Sequence, residues 1–309
     1  MKGLIILSFL MSSLFLSVGF GFSGEQVKIR SSPLAGSWYP DDPQELKTTL
    51  EKDLDYAQVP EIKGKITALI SPHAGYRFSG NAAAGGFSTL RGKDFDRVII
   101  IGPSHRAWFQ GIVVSSFDFF QTPLGRVPVE KKIGKELSRQ KLFSFNSDAE
   151  AQEHSLEMQI PFLQMALKNF SIIPLVVGEL GENDSTEAAK FLRPYVTEKT
   201  LIVVSSDFTH YGERFGYLPF TENIKDNLKK LDLGAVDLIL KKDFIGYQKY
   251  LQKTGATICG RNGIEILLQL LPSDAQGTLL TYYTSGDILN DYSSTVSYVS
   301  VVFKKPLAP

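Results

Sequence analysis

The sequence predicts an α/β protein with a largely parallel or mixed central sheet and helices on both of its faces. Three observations carry that expectation. Continuous apolar runs recur along the chain, as strands buried on both faces require. Segments with apolar residues three or four apart lie between them, as helices packed on a sheet require. No Pro-, Gly- or Ser-rich linker divides the chain, so residues 24–309 read as one domain.

The elements follow in chain order. "DDPQELKTTLEKDLDYA" reads as a helix: Asp42 can cap it, Pro43 fits its first turn and Glu45 completes a capping box. Leu46, Leu50 and Leu54 would face the core. "KITALISP" is a strand, "NAAAGGFSTL" a helix and "DRVIIIGPSH" a second strand. "EHSLEMQIPFLQMALKNF" opens a helix, and the strand "SIIPLVVGEL" follows it. "DSTEAAKFLRPYV" is helical and "TLIVVSSD" extended. Helices are expected over residues 224–241 and 244–252, with "NGIEILLQLL" a short buried one. "GTLLTYYTSGD" and "SYVSVVFKK" are late strands.

Charge narrows the function classes. Lys+Arg and Asp+Glu number 33 each, so the formal net charge is zero and no electrostatic nucleic-acid binder is indicated. The first 23 residues differ from the rest: one Lys, an apolar stretch, then small residues. Gly21-Phe22-Ser23 fits a signal-peptidase site with the cut before Gly24, and Gly19-Phe20-Gly21 is a second candidate. The alternative is an uncleaved anchor, because residues 3–22 are uncharged and about as long as a bilayer-spanning helix. This leader predicts export to a periplasmic or extracellular space, with membrane contact only through an uncleaved N-terminus. The single cysteine, Cys259, cannot form an internal disulfide. It is a buried apolar filler, an intermolecular link or a working thiolate.

The four histidines point to a site. His73 follows "ITALISP", His105 follows "VIIIGPS" and His210 lies just past "LIVVSSDF". In an open α/β sheet, ligands bind outside the carboxyl ends of the strands, so these three loops can converge on one crevice. Cys259 precedes a predicted helix, with Arg261 two residues on, where a thiolate is stabilised. Neutral imidazoles and a thiolate suit a transition metal. Asp207 can be a ligand or an acceptor that orients an imidazole. The wide spacing of these residues matches no short structural zinc pattern. His154 and Glu157 share a helix face at i, i+3, either as a ligand or acid/base pair or as a polar helix start.

"SPHAGYRFSG", "IIIGPSHR", "EHSLEMQIPFL", "SSDFTHYGERFGY" and "CGRNGI" resemble, in order, the successive motifs of the Memo family (mediator of cell motility). Its prokaryotic branch is the AmmeMemoRadiSam system protein B group. "LAGSWYPDDPQEL", "TPLG" and "YSSTVSYVSVVF" extend the likeness over nearly the whole chain. The resemblance implies a fold similar to class III extradiol non-haem iron dioxygenases. It also implies a metal site on His73, His105 and Cys259, with iron or copper as the metal and Asp207 and His210 lining the same pocket. It implies a functional association with radical SAM and AMMECR-type proteins, and members are usually cytosolic. The chain departs from animal members at Gln159 and Asn262, where they carry His, and at Thr209 and Tyr211, where they carry Cys and Trp.

Three functions remain open at this stage. One is a redox enzyme with a mononuclear iron or copper centre, His210 as acid/base, Asp207 orienting it, and His154 and Glu157 near the substrate. Another is a module that captures a peptide or small ligand between Tyr76, Arg77, Tyr211, Arg214 and Tyr217, with Arg261 beside the thiol. The third is a metal-free Cys-His-Asp hydrolase with Cys259 as nucleophile.

Overall fold

The computed structural model describes residues 26–306. A short strand, β1 (Ile29–Arg30), leads to helix α1 (Pro43–Tyr56), then β2 (Lys65–Ser71), α2 (Tyr76–Ser88) and β3 (Arg97–Pro103). The short strands β4 (Ile112–Val114), β5 (Phe119–Thr122) and β6 (Gly125–Pro128) follow, then α3 (Lys131–Leu137) and β7 (Phe143–Phe145). Three short helices come next: α4 (Ser147–Ala151), α5 (His154–Glu157) and α6 (Ile160–Ala166). They are followed by β8 (Ser171–Val177), α7 (Asp184–Leu192), β9 (Thr200–Ser205) and β10 (His210–Gly212). The chain continues through α8 (Ile224–Leu240), α9 (Phe244–Thr254), α10 (Arg261–Leu270), β11 (Gln276–Thr284), α11 (Ser285–Leu289) and β12 (Ser294–Lys305).

The principal sheet runs β10-β12-β2-β9-β3-β8-β4-β7, with β11 paired to β12. β2, β9, β3 and β8 are mutually parallel, while β12 and β4 join antiparallel on either side. The sheet is therefore mixed, with the parallel strands at its centre, as the sequence predicts. A separate small sheet, β1-β5-β6, sits beside it.

Burial explains the continuous apolar runs. Along β3, Ile99 and Ile101 enter one core while Val98 and Ile100 enter the other. β9 does the same with Ile202 and Val204 against Leu201 and Val203. The first core is closed by residues of α7 to α10 and the second by residues of α1, α2 and α6. Leu46, Leu50 and Leu54 of α1 are buried, and the Asp42 side chain accepts hydrogen bonds from the Gln44 and Glu45 amides. One expectation is corrected. "EHSLEMQIPFLQMALKNF" is not one helix: α5 stops at Glu157 and α6 starts afresh with Pro161 in its first turn. Proline has no N–H for an interior helical bond, so the pattern restarts there.

Candidate metal centre

β2, β3 and β9 end together at one edge of the sheet. His73 lies two residues beyond Ser71, His105 two beyond Pro103, and Asp207 two beyond Ser205. Cys259 arrives on the loop before α10. Gly260 lets that loop close on β9: a Cβ there would lie 2.4 Å from Ser206 Cβ. The Gly260 amide donates to Ser206 Oγ at 3.0 Å, and the Asp207 amide donates to Cys259 Sγ at 3.2 Å.

Ligand atoms of His73, His105 and Cys259 lie within 4.8 Å of one another. Cys259 Sγ is 3.2 Å from His73 Nε2. The tautomer of His73 follows from its neighbours. Ser205 Oγ donates its proton to the Ser155 carbonyl at 2.6 Å and accepts from Gln159 Nε2 at 2.8 Å. Its partner at 2.9 Å, His73 Nδ1, must then be a donor, which leaves a lone pair on Nε2 facing the sulfur. His210 is arranged alike. Its Nδ1 faces the carbonyls of Phe208 and Thr257 at 3.0 and 3.2 Å, which only accept, so Nε2 is again unprotonated in the neutral ring.

The cluster opens on two cavities. One, of about 710 Å³, is lined by His73, His105, His154, Asp207 and His210, with Trp38, Arg77 and Phe215 on its walls. The other, of about 600 Å³, is lined by Cys259 and His105 together with Arg106, Trp108 and Arg261. His105 and His154 stack at 4.2 Å, and His73 meets both edge-on.

Burial disfavours the charged form of two of the imidazoles. Burial, then the nearby His105, holds His73 well below its ordinary value. Burial and the neighbouring His73 and His105 bring His154 down to about 3. Burial and then the Asp207 carboxylate push the Cys259 thiol well up, and burial also raises Asp207. A bound cation reverses the thiol's preference, because a coordinating thiol is deprotonated outright.

Several sequence-predicted residues lie elsewhere. Glu157 does not line either cavity with His154. Its carboxylate pairs with Arg30 at 2.8 Å and accepts from Tyr39 Oη and the Leu34 amide. A buried carboxylate needs such partners, and they lie on the N-terminal segment. Tyr76 donates to the Met158 carbonyl and packs on Tyr39 and Phe162, so its hydroxyl is spent in the core. Tyr211 is buried against Phe220 and donates to the Phe220 carbonyl. Arg261 does line the cavity that reaches Cys259, but it faces Glu179 at 3.8 Å. The Cys-His-Asp triad is not assembled: Asp207 accepts the backbone N–H of His73, while the His73 ring is held by a serine hydroxyl. Ser205, Gln159 and Glu153 support the imidazoles, and sequence reasoning assigned none of them this work. The polar ending of the β9 motif was the available signal for Ser205.

Fold and site together define an α/β protein that gathers imidazoles and one thiol at the carboxyl edge of its parallel strands. The chain belongs to the Memo family: it matches the Memo-like protein family over residues 30–302. It is 36% identical to the protein memo-1 homolog of Caenorhabditis elegans, over 97% of this chain and 89% of that one. It is 33% identical to MEMO1 of Homo sapiens, over 89% and 97% of the two chains. A MEMO1 family protein of Schizosaccharomyces pombe is also 33% identical, over 88% and 98%. A crystal structure of an uncharacterized protein from Escherichia coli K12 matches with TM-score 0.47 and 10% identity, covering 77% of this chain and 99% of that one.

The relatives correct the expectation of export. The chain is similar over most of its length to MEMO1 proteins, so the expectation that goes with the family resemblance replaces the one read from the leader, and the periplasmic or extracellular reading and its anchored alternative are withdrawn. The leader itself lies outside the described residues, and among those described no helix is long and apolar enough to cross a membrane.

Proposed function

We propose that this Memo-family protein is a metal-dependent redox protein with a mononuclear iron or copper centre. His73, through Nε2, His105 and Cys259 would hold the ion. The observation that carries this reading is the close set of two imidazoles and a thiol, with His73 Nε2 locked as a lone pair toward the sulfur. Borderline and soft donors of this kind fit iron or copper better than magnesium or calcium. When bound, such an ion supplies one-electron chemistry and a positive charge that keeps the thiol ionised.

The chain's own residues supply the rest. The cavity of about 710 Å³ is large enough to take a small organic substrate. Trp38 and Phe215 give it apolar surface, and Arg77 stands at its side. His210 has Nδ1 held by two backbone carbonyls, which leaves Nε2 as the ring atom that can take a substrate proton. His154 lines the same cavity, and burial with the neighbouring His73 and His105 disfavours its charged form. Asp207 fixes the His73 backbone through its N–H at 2.8 Å.

The test is metal content of protein purified anaerobically without a polyhistidine tag. Near-stoichiometric iron or copper is expected in wild type and absent from His73→Ala, His105→Ala and Cys259→Ser. Wild-type protein that neither carries nor takes up either metal sinks the reading.

A further inference from the structure

We propose that Glu153 is a positioning residue of this site: it decides which nitrogen of His105 faces Cys259. Glu153 is fully buried at the start of α5. One carboxylate oxygen accepts the His105 backbone N–H at 2.6 Å. The other lies 2.9 Å from His105 Nδ1 and 2.9 Å from the Ser155 amide, whose N–H it accepts. A carboxylate that accepts several N–H groups is ionised and has no proton to give. His105 Nδ1 must therefore carry the hydrogen, and in the neutral ring Nε2 presents its lone pair. The same carboxylate grips backbone and ring, so it sets both where the loop sits and how the imidazole is turned.

His105 depends on this contact more than His73 does on its own. Its side chain is 27% exposed and sits on a strand-end loop, whereas His73 is buried against Ser205. Glu153 is held in turn by the N-terminal segment. Arg30 Nη2 donates to the Glu153 carbonyl at 2.6 Å, and Arg30 Nε donates to the Glu150 carbonyl at 3.1 Å. The same guanidinium pairs with Glu157. A residue in a two-residue strand of the small sheet thus fixes the turn that carries Glu153, and Glu153 fixes the ligand.

The functional consequence rests on the metal reading, but the tautomer does not, and the experiment separates them. Metal-free protein labelled with 15N-histidine is examined by long-range 1H–15N NMR at about pH 8, where an unperturbed imidazole is neutral. His105 in wild type is expected to show a protonated Nδ1, its proton shifted far downfield by the carboxylate, and an unprotonated Nε2. In Glu153→Ala the His105 pattern is expected to become a mixture of tautomers while His73, held by Ser205, keeps its own. The unchanged His73 pattern reports an intact fold. Iron or copper affinity of that variant is expected to fall roughly 10- to 100-fold. A wild-type His105 protonated on Nε2 overturns the proposal even if the variant does not fold. So does a folded variant with an unchanged His105. Wild type with the expected tautomer but no uptake of metal would sink the metal reading and leave the role of Glu153 standing.

Discussion

At the scale of single residues, the site is a problem of hydrogen-bond direction. Imidazole can place its proton on either nitrogen, and only its partner decides. Ser205 decides for His73 and two backbone carbonyls decide for His210. Another residue, Glu150, tests the electrostatics of the same region. Burial raises it to about 7, and this is only partly offset by Ser115 and by the Ser116 amide, which one oxygen meets at 3.4 Å. Its folded value lies above the ordinary 4.5, so between those values the folded chain binds more protons than the unfolded one. Stability should fall as pH rises through that window. Glu150→Gln removes the penalty. In urea titrations it should be more stable than wild type above neutral pH, by up to about 3 kcal/mol, and equal to it near pH 4. Equal stability at both pH values would show that Glu150 ionises without cost.

At the scale of elements, the close approach of α5 to β3 is what brings Glu153 to His105. Gly102 permits it: a Cβ at that position would lie 2.5 Å from Ser155 Oγ and 2.9 Å from Leu156 Cδ2. Ser155 Oγ meanwhile donates to the Pro103 carbonyl at 2.9 Å. Gly102→Ala should therefore push α5 off the strand end. We expect a loss of about 1–3 kcal/mol in denaturant unfolding, the usual cost of overpacking, together with weaker metal retention. A fully stable variant with wild-type metal content would mean that the turn relaxes freely. The break at Pro161 belongs to the same scale. It frees Gln159 from a helical surface to reach the Pro72 carbonyl and Ser205 Oγ.

At the scale of the whole molecule, the N-terminal segment and the sheet edge form one polar core. Arg30 and Glu157 are 2% and 1% exposed and 2.8 Å apart. Breaking such a buried pair leaves one charge without a partner. Arg30→Met should cost about 3–5 kcal/mol, far more than a surface ion pair such as Lys47 with Glu51 would. Calorimetry at neutral pH would check this, and a melting temperature equal to that of wild type would refute it. The same variant should loosen His105 with both His105 and Glu153 left unsubstituted, because it removes the hydrogen bond that supports the turn at the Glu153 carbonyl.

The α/β class, the major strands and the edge that carries the site were legible in the sequence. Period and length set them: apolar runs buried on two faces can only be central strands, and residues just past their carboxyl ends share one edge. The short strands β4 to β7 and β10 were not legible, because three or four residues carry too little pattern to separate a strand from a loop. The roles of Glu157, Tyr76 and Tyr211 were misread for another reason. Spacing places a side chain on a face of its own element but does not say which neighbour that face meets. Glu153 and Glu157 both precede the same proline, yet one turns to His105 and the other to Arg30. The sequence by itself determined the long central strands and the residue types able to hold a metal. Only the tertiary structure decided which carboxylate serves the site and which nitrogen each imidazole presents. Those choices rest on hydrogen bonds between residues that can be more than a hundred positions apart in the chain.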